Sequence, residues 1–438
     1  MDTNIGAKER VTQNRLIELF KNVLKYTYLG NWETREGNAN IEEKLLTAYL
    51  SRRGYTDKEI RCAIAKLKQS ANSLGGGLYN ANKEVYTLLR YGVNIQAEVT
   101  EKKKMVHLID WANPMENDFQ IAEEVTIQGE SDRRPDLVVY VNGIALAVIE
   151  LKRSTVSAHE GIRQNIRNQQ DGYIPRFFTT IQLLFAGNDT EGLHYGVIKT
   201  PEKFWLRWKE PCGEPCQPSH FTTKEYSNEL DRSALQFFEP ARLLEYIHDF
   251  IIFDGGVKKA ARPNQYFAVK AAQPRVRKKQ NGIIWHSQGS GKSLTMVWLA
   301  QWIRENVSDA RVVIITDRDE LDKQIESGFK DAGEQIQRAK SGGKLIEMLN
   351  AAEPWLICTL IHKFGNKNDG DAISVGNKKA NKSLDVYLEE LAKSLPADFW
   401  SKGNIYVFID ECHRTQGGLL HEAMKHIMGD NIYNSILH

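Results

Sequence analysis

The chain has 438 residues, of which 41% are hydrophobic and 26% are charged, and its formal net charge is +2. This length exceeds what one ordinary core encloses, so we expect two or three globular domains. The near-neutral charge excludes an argument for a nucleic-acid partner from overall charge, so any basic surface must be local. No run of about eighteen apolar residues is present, so no membrane span and no membrane partner are predicted.

The cysteines and the N-terminus predict a cytoplasmic location. Five cysteines are scattered along the chain, at Cys62, Cys212, Cys216, Cys358 and Cys412. An odd, scattered set is typical of reduced thiols, and the N-terminus lacks the charged-then-apolar pattern of a secretory signal. Cys212 and Cys216 form the single close pair, and no second pair lies nearby in the sequence, which argues against a zinc site.

The first hundred residues predict three amphipathic helices. The first covers residues 8–28 and the second runs from about residue 41 to 53. The third covers residues 57–74, because Thr56 is a good N-cap for it and the triplet Gly75-Gly76-Gly77 ends it.

From about residue 105 the hydrophobic period changes to that of short strands. The apolar runs cover residues 105–111, 119–127, 137–141, 144–151, 180–185 and 194–198. Asn142-Gly143 joins two of these runs and is a strong signal for a hairpin turn. A helix is predicted over residues 156–170. The pattern indicates a small mixed α/β domain that ends near residue 210.

Order and composition change again after that domain. Residues 209–232 are polar and rich in proline, so we predict a connecting segment over 211–255, with a helix from Pro240 to Phe250. Beyond it, strands near residues 283, 312–316, 355–360 and 405–410 alternate with helices, which predicts a parallel sheet covered on both faces. The predicted domains are therefore 1–210, 211–255 and 256–438.

A phosphate-binding loop opens the third domain at His286-Ser287-Gln288-Gly289-Ser290-Gly291-Lys292-Ser293. An apolar strand leads into it and an amphipathic helix leads out, which is the context that such a loop requires. Gly289, Ser290 and Gly291 let the backbone wrap an anion, Lys292 adds a charge at the β/γ-phosphates, and the hydroxyl of Ser293 would hold Mg²⁺. The usual pattern begins with glycine where this chain has His286. We expect ATP as the ligand.

A second acidic element follows on the strand Ile405-Tyr406-Val407-Phe408-Ile409, which ends in Asp410 and Glu411. A buried strand that ends in two carboxylates is what a magnesium–ATP site needs. Asp410 would bind the metal through water, and Glu411 would polarise the attacking water.

A separate constellation lies in the first domain. Asp136 precedes one arm of the predicted hairpin, and Glu150 and Lys152 end the other. Residues two apart in a strand face the same way, so the hairpin would gather two carboxylates and a lysine. The carboxylates of Asp136 and Glu150 would hold Mg²⁺ against a phosphate, and Lys152 would orient or deprotonate a water and balance charge. The alternative is a hairpin with solvent-facing charges, and this stretch alone does not decide between the two.

The motor elements resemble those of superfamily 2 helicases, because Asp410-Glu411-Cys412-His413 resembles their Asp-Glu-x-His box. By that resemblance Gln265 belongs to an adenine-reading Q motif. Thr316-Asp317-Arg318 and residues 359–364 resemble loops that hold one DNA strand. A motor of this family has a second RecA-like domain with arginine fingers, so we expect this chain to be a fragment that holds the first.

The hairpin elements resemble the Pro-Asp…(Asp/Glu)-x-Lys, or PD-(D/E)xK, motif of restriction-endonuclease-like nucleases. Gln169 and Tyr173 resemble the Gln-x-x-x-Tyr sequence of the RecB-like branch, whose role would be to position the DNA backbone or support the site. An acidic residue on an early helix often joins the metal site in this family. Glu42 or Glu43 would serve, although a solvated helix face explains either one better.

The order of nuclease and motor resembles the R (restriction and translocation) subunit of type I restriction-modification enzymes over essentially the whole chain. The wording around the motifs is also similar, as in Ala147-Val148-Ile149-Glu150-Leu151-Lys152. The resemblance implies double-stranded DNA as substrate and methylation and specificity subunits as partners. It also implies ATP-driven pulling of duplex DNA with magnesium-dependent cleavage at distant, non-specific positions.

Two other classes of function are open. A pure helicase or remodeller whose first domain only binds would tolerate Asp136→Ala. An interaction protein with a degenerate nuclease fold would bind no Mg²⁺ near Glu150 and would tolerate Lys152→Ala.

Overall fold

The computed structural model describes residues 9–96, 103–211, 228–287, 289–316, 319–360, 401–410 and 432–437. The chain divides into two compact units, Met1–Ala260 and Ala261–His438, and each unit has its own sheet. Among the described helices, none is long and apolar enough to cross a membrane.

The first unit contains seven α-helices and eleven strands in its described part. The helices are α1 (Glu9–Asn22), α2 (Glu43–Arg52), α3 (Asp57–Asn72), α4 (Gly77–Tyr91), α5 (Ala158–Asn168), α6 (Glu229–Phe237) and α7 (Pro240–Asp249). The strands are β1 (Thr27–Asn31), β2 (Val93–Ile95), β3 (Lys104–Val106), β4 (Phe119–Glu123), β5 (Leu137–Val141), β6 (Ile144–Leu151), β7 (Leu183–Asn188), β8 (Gly192–Gly196), β9 (Leu206–Arg207), β10 (Ile251–Asp254) and β11 (Val257–Ala260).

Seven of these strands form a mixed sheet in the order β1-β4-β5-β6-β7-β8-β9. The β1–β4 and β6–β7 pairs are parallel, and the other neighbours are antiparallel. Helix α5 covers one face, where Ile162 packs with Val148, Leu184 and Ala186. The two short hairpins β2–β3 and β10–β11 lie outside this sheet.

The other face of the sheet carries an aromatic cluster. Phe185 of β7 has its ring 4.9 Å from that of Phe237 and 4.6 Å from that of Phe238, at the end of α6. Phe20 of α1 packs 5.0 Å from Phe238. Large buried rings of this kind contribute much of the apolar area of a core, so α1 and α6 are held on the sheet by the same cluster.

The hairpin turn has the predicted geometry. Asn142 and Gly143 both have positive φ, at 54° and 80°, as a two-residue type I′ turn requires. A Cβ on Gly143 would lie 2.6 Å from the Cβ of Leu45 and 2.8 Å from the carbonyl oxygen of Glu42. Glycine is therefore needed here both for its conformation and for the close packing of α2 on the turn.

The N-terminal helices differ from the prediction in two places. Helix α1 ends at Asn22, and the region predicted as its last turn begins strand β1, because Lys25 adopts a left-handed conformation that turns the chain. Helix α3 is as predicted, with Thr56 and Glu59 forming a reciprocal capping box. The glycine triplet ends α3 but also begins α4, a helix that the pattern did not predict.

The segment that we expected to connect two domains is largely part of the first unit. Helices α6 and α7 and the hairpin β10–β11 fall within residues 228–260, inside the first compact unit. Lys258 of β11 is fully buried, and its Nζ donates to Asn82 Oδ1 at 2.7 Å and to Gln182 Oε1 at 2.6 Å. Burial lowers the pKa of Lys258 well below its usual value.

The second unit has a parallel six-stranded sheet in the order β12-β17-β16-β13-β15-β14. Its strands are β12 (Gly282–Ile284), β13 (Ala310–Thr316), β14 (Gln337–Arg338), β15 (Leu356–Leu360), β16 (Asn404–Asp410) and β17 (Ile432–Leu437). Its described helices are α8 (Pro263–Arg277), α9 (Lys292–Asn306), α10 (Asp319–Asp331) and α11 (Gly342–Asn350). The predicted parallel sheet is confirmed. The near-continuous apolar strands β13, β15 and β16 are typical of a sheet covered on both faces.

Candidate functional site

Strands β5 and β6 bring Asp136, Glu150 and Lys152 together at one end of the first sheet. The antiparallel register pairs Leu137 with Ile149, so Asp136 stands opposite Glu150. The backbone N–H of Leu151 donates to Asp136 Oδ2 at 2.6 Å, and Lys152 Nζ lies 3.9 Å from the same oxygen. The turn pairs Val141 with Ile144, and a β-bulge between Val139 and Tyr140 then shifts the register by one residue, which sets Asp136 opposite Glu150.

Glu150 is the most unusual group of the three. It is fully buried, and neither carboxylate oxygen has a hydrogen-bond partner among the described residues. Helix α5 closes over it at Gly161, where an added Cβ would lie 3.3 Å from the Glu150 Cβ and 3.1 Å from the Ala186 Cβ. Burying a charge without a partner is very unfavourable, so this carboxyl either keeps a proton or binds a cation.

The electrostatics of the three residues agree with that reading. Burial raises the pKa of Asp136 to about 6, although Lys152 opposes the shift. Burial and the neighbouring Asp136 raise the pKa of Glu150 well above its usual value. Burial alone would lower the pKa of Lys152, but the Asp136 and Glu150 carboxylates raise it. The two acids therefore cannot both ionise easily without an additional positive charge.

These residues fit a hard divalent cation. Carboxylate oxygens are the ligands that such ions prefer, and the two oxygens of Glu150 have no other partner among the described residues. Asp136 Oδ2 already accepts one N–H, and Oδ1 is the second oxygen that this side chain offers. Asp136 and Glu150 are thus the pair that would hold an ion.

An acidic residue on an early helix does approach this site, but it is Glu9 and neither of the predicted residues. Glu9 Oε1 lies 3.0 Å from Lys152 Nζ. Glu42 instead makes a two-point ion pair with Arg35, at 3.0 and 2.6 Å, and Glu43 pairs with Lys68. The prediction that Glu42 or Glu43 could join the site therefore finds no support in these contacts.

The position of α1 explains why Glu9 is available. Arg15 of α1 donates to Asp231 of α6 at 3.0 and 3.1 Å and also pairs with Asp189, which follows β7. Gln13 donates to Glu123 at 3.1 Å and to the carbonyl oxygen of Asp136 at 3.5 Å. Helix α1 is therefore fixed to the sheet next to the site. No local pattern reveals this packing, because Glu9 and Lys152 are far apart in sequence.

Gln169 and Tyr173 have contacts that lead away from the three residues. Helix α5 ends at Asn168, so the two side chains do not share a helix face as predicted. Gln169 donates to the carbonyl oxygen of Asn165 at 2.9 Å and accepts from the N–H of Lys199 at 2.7 Å. The guanidinium of Arg133 lies 4.2 Å from the ring centre of Tyr173. Tyr173 also lines a groove of about 670 Å³.

In the second unit, the predicted phosphate-binding loop joins β12 to α9. Gly289 and Gly291 have φ of 78° and 90°, so both need the freedom of glycine. Lys292 and Ser293 begin α9, where backbone N–H groups have no acceptor within the helix and point toward any bound anion. The Ser290 hydroxyl is buried without a hydrogen-bond partner among the described residues. Gln288 lies outside the described residues.

The acidic element stands near this loop along the sheet edge. Ile284 of β12 pairs with Leu437 of β17, and Leu437 pairs with Asp410 of β16. Two strand spacings put the backbones of Ile284 and Asp410 about 10 Å apart, both at the carboxyl end of parallel strands, where ligands of such sheets bind. Asp410 is buried. Glu411 lies outside the described residues, as do Asp317, Arg318 and residues 361–364.

Gln265 occupies an unexpected position. Its Nε2 donates to the carbonyl oxygen of Gly291 at 2.9 Å, and its Oε1 accepts from the N–H of Arg262 at 2.8 Å. The side chain is only 2% exposed. His286, which stands where such loops usually have glycine, is half-buried. Burial lowers its pKa, although the backbone of Asn264 opposes the shift.

Comparisons with known proteins find similar sequences for both parts of the chain. Residues 6–203 match the family model of the type I restriction enzyme R protein N terminus. The first part of the chain is therefore similar to the N-terminal region of type I restriction enzyme R proteins. Residues 264–434 match the family model of the SWI2/SNF2 ATPase.

Three curated proteins are similar to this chain along most of its length. A Methanocaldococcus jannaschii protein, provisionally named as the endonuclease subunit of type I restriction enzyme MjaIXP, is 26% identical over 95% of this chain and 41% of its own length. The SauMSSORF170P endonuclease subunit of Staphylococcus aureus is 26% identical over 74% of this chain and 32% of its own. The HindI endonuclease subunit of Haemophilus influenzae is 25% identical over 80% and 33%. The chain thus spans about two fifths or less of the length of these relatives.

Proposed function

We propose that this chain carries out two linked reactions of a restriction subunit: cleavage of double-stranded DNA in the first unit and ATP hydrolysis for DNA translocation in the second. The observation that carries the proposal is the buried Glu150 carboxylate, without a partner among the described residues, beside Asp136 and Lys152. A structural hairpin has no use for such a costly group, whereas a phosphodiester-cleaving site does.

In the cleavage site, Asp136 and Glu150 would hold Mg²⁺, which when bound supplies positive charge beside the scissile phosphate. Lys152, whose Nζ lies 3.9 Å from Asp136 Oδ2, would orient or deprotonate the attacking water and balance charge. Glu9 holds the ammonium in place from the side of α1.

The ATP half rests on the loop and the acidic strand end. Gly289, Ser290 and Gly291 would wrap the phosphates, and Lys292 would add its charge to them. Ser293 and Asp410 would hold the magnesium of Mg–ATP, and Glu411 would polarise the water. The match of residues 264–434 to an ATPase family supports this assignment.

The names of similar proteins support a proposal for the partners. The relatives are named as endonuclease subunits of type I restriction enzymes. We therefore propose that methylation and specificity subunits of one complex read the target sequence, while this chain contacts duplex DNA without reading it. Gln169 and Tyr173 would support the nuclease site or position the DNA backbone. Arg133 stacked on Tyr173 places a cation next to that ring.

The decisive test compares Glu150→Ala with Lys292→Ala in the protein expressed with its partner subunits. Restriction of unmodified phage DNA in cells and ATP turnover in vitro are measured for both. Glu150→Ala should abolish cleavage and keep DNA-stimulated ATP turnover, whereas Lys292→Ala should abolish both. Glu43→Ala, at an exposed carboxylate paired with Lys68, is the matched control and should change neither.

The outcomes also separate the alternatives. Restriction that survives both Asp136→Ala and Glu150→Ala would show that the first unit only binds. Cleavage at a normal rate by Lys292→Ala would show that the nuclease does not depend on the motor. Either result would contradict the proposal.

A further inference from the structure

We infer that the end of helix α8 carries a basic surface that binds the phosphate backbone of duplex DNA. We call this surface the basic edge, and it consists of Arg275, Arg277, Lys278 and Lys279. The inference rests on the proposed function in one respect, which is that the second unit acts on DNA. It adds a contact that the motor motifs do not supply, because the loops that resemble DNA-holding loops follow β13 and β15 at the other end of the sheet.

The sequence around α8 has an unusual distribution of charge. Residues 255–304 contain no Asp or Glu, although at the chain's average of 56 acidic residues in 438 these fifty positions would hold about six. The same stretch contains ten basic residues, which are Lys258, Lys259, Arg262, Lys270, Arg275, Arg277, Lys278, Lys279, Lys292 and Arg304. Four of the ten lie within five positions at the end of α8. Although the net charge of the whole chain is close to zero, a strongly basic surface is therefore present locally.

The side chains of the basic edge are exposed, and carboxylates do not neutralise them. Among the described residues, no carboxylate forms an ion pair with Arg275, Arg277 or Lys278. Arg275 donates to the carbonyl oxygen of Asn281 at 3.2 Å, and the guanidinium of Arg277 lies 5.1 Å from the ring centre of Trp302. These contacts orient the two guanidinium groups and leave their charge available to an anion.

Lys279 occupies a position where the backbone favours glycine. The N–H of Gln280 donates to the carbonyl oxygen of Arg275 at 2.9 Å, and the N–H of Lys279 donates to that of Val276 at 3.0 Å. This pair of bonds is the Schellman motif, in which the left-handed residue is usually glycine, and Lys279 has a φ of 56°. A side chain is disfavoured in that conformation, so the end of the helix alone does not explain a lysine here.

The basic edge lies at the amino end of the second sheet. Lys279 Nζ donates to Asn404 Oδ1 at 3.3 Å, and Asn404 begins β16. The same strand ends at Asp410, so about 20 Å of strand separates the basic edge from the acidic element of the predicted ATP site. Thr316 and Leu360 also end their strands at the carboxyl end of this parallel sheet. DNA at the basic edge would therefore not compete with a nucleotide.

A duplex DNA backbone fits this surface. It carries one negative charge per about 1.7 Å of its axis, and arginine and lysine bind its phosphates irrespective of base sequence. Asp309, whose carbonyl oxygen accepts from the Asn404 N–H at 2.9 Å, brings one negative charge to the same end of the sheet. The cations outnumber it, so the surface keeps a positive surplus. We therefore expect a contact that adds affinity for DNA and carries no sequence information.

The test measures how salt affects the binding of a fluorescent duplex of about 30 base pairs to the whole chain, in EDTA to prevent cleavage. The variant Arg275→Gln/Lys278→Gln/Lys279→Gln removes three charges from the basic edge. The slope of log K against log salt concentration should become less steep by about 2 to 3, because each phosphate contact contributes about 0.9. At about 0.1 M salt the Kd should rise at least about tenfold, equally for two duplexes of unrelated sequence.

A matched control removes the same number of charges elsewhere. Arg61→Gln/Lys66→Gln/Lys68→Gln changes three cations of α3 in the first unit and should alter the slope by less than about 0.5. Equal changes in both variants would show that only the net charge matters, and would overturn the inference.

The remaining outcomes separate this inference from the proposed function. If the basic-edge variant binds duplex DNA as tightly as the unsubstituted chain, the inference fails and the proposed function stands. If the unsubstituted chain binds no duplex at any of these salt concentrations, both fail. Normal DNA binding with weaker assembly with the partner subunits would assign the basic edge to an acidic protein surface, and would also overturn the inference.

Lys279→Gly separates DNA binding from a role at the helix end. Glycine relieves the left-handed conformation, so the Tm should stay the same or rise, whereas the duplex should bind about five- to tenfold more weakly at about 0.1 M salt. A lysine that serves the helix dipole or the bond to Asn404 predicts the reverse, a lower Tm with unchanged affinity. That result would overturn the inference.

Discussion

The carboxylate cluster of Asp136 and Glu150 and the predicted phosphate-binding loop differ in how they are arranged before a charged ligand binds. In the first, Glu150 is buried and its oxygens have no hydrogen-bond partner among the described residues, so this carboxyl either keeps a proton or binds a cation. In the second, Arg262 and Gln265, at the start of α8, donate hydrogen bonds to the carbonyl oxygens of Gly289 and Gly291. The loop therefore has its shape before an anion binds. We therefore expect the stabilisation that a bound ligand gives to vary with pH in the first unit. In the second unit it should vary much less.

The largest expected effect comes from removing the negative charge that would hold the ion. Glu150→Gln should reduce DNA cleavage by about 10³-fold, because several kcal/mol of transition-state stabilisation depend on the metal charge. ATP turnover in the same preparation should remain within twofold, since this residue lies in the first unit. Cleavage of a radiolabelled duplex by the complex measures the first rate. An equal loss of both activities would remove the contrast between the two centres.

A second expected effect is a dependence of stability on pH in the absence of metal. The folded pKa of Asp136 is raised to about 6 from 3.8, mainly by burial, so the proton is held more tightly in the folded state. Its contribution is complete below about pH 4 and is lost as the pH rises through 6. The free energy of unfolding should fall by up to about 3 kcal/mol over that window.

Urea unfolding at several pH values, in a chelating buffer, checks this expectation. Asp136→Asn should reduce the dependence without abolishing it, because burial also raises the pKa of Glu150, and millimolar Mg²⁺ should restore stability above pH 6. A flat profile for the unsubstituted chain would show that these carboxyls are better solvated than the geometry indicates.

A smaller effect is expected at Gly161, the point where α5 closes over Glu150. Gly161→Ala adds a Cβ that is tight against the Cβ atoms of Ala186 and Glu150. We expect a loss of about 2 kcal/mol from overpacking, despite the better helix propensity of alanine, together with weaker cleavage. Thermal unfolding and cleavage assays measure the two. Gly328→Ala is a control, because no atom lies within 4 Å of its added Cβ.

The smallest expected effect is the loss of an ordinary helix cap, whose polar groups are already hydrogen-bonded. Thr56 caps α3 and accepts from the N–H of Glu59 at 3.4 Å, far along the chain from both centres. Thr56→Ala should cost about 1 kcal/mol and change neither activity. A change in cleavage or ATP turnover would show that α3 contributes to one of the two sites, and would weaken the contrast between them.

Local signals in the sequence were sufficient for the hairpin and for the loop. The pattern did not reveal the β-bulge between Val139 and Tyr140 that sets Asp136 opposite Glu150, but Asn142-Gly143 specified the turn. The same holds for the strand, loop and helix around Lys292. Each of these features depends on residues close together in the chain, so short-range pattern is enough.

Long-range packing accounts for what the sequence did not reveal. Glu9 approaches Lys152 only because α1 is fixed by Arg15 to residues more than 170 positions away. Helix α5 ends before Gln169 although no glycine or proline lies between Gly161 and Gly172, so the expected shared face of Gln169 and Tyr173 does not form. The contact of Gln265 with Gly291 likewise spans 26 positions.

The buried Lys258 of β11 limits where the chain can be cut if the first unit is to be produced alone. Lys258 Nζ donates to the side-chain oxygens of Asn82 and Gln182. The hydroxyl of Tyr86 lies within hydrogen-bond distance of the carbonyl oxygens of Ile247 and His248. A shortened protein that ends near residue 210, where the composition first suggests a domain boundary, would lack Lys258. The side-chain oxygens of Asn82 and Gln182 would then lose this hydrogen-bond donor, and apolar residues around them would be exposed to water. Expression should succeed only when the cut falls at Ala260 or later.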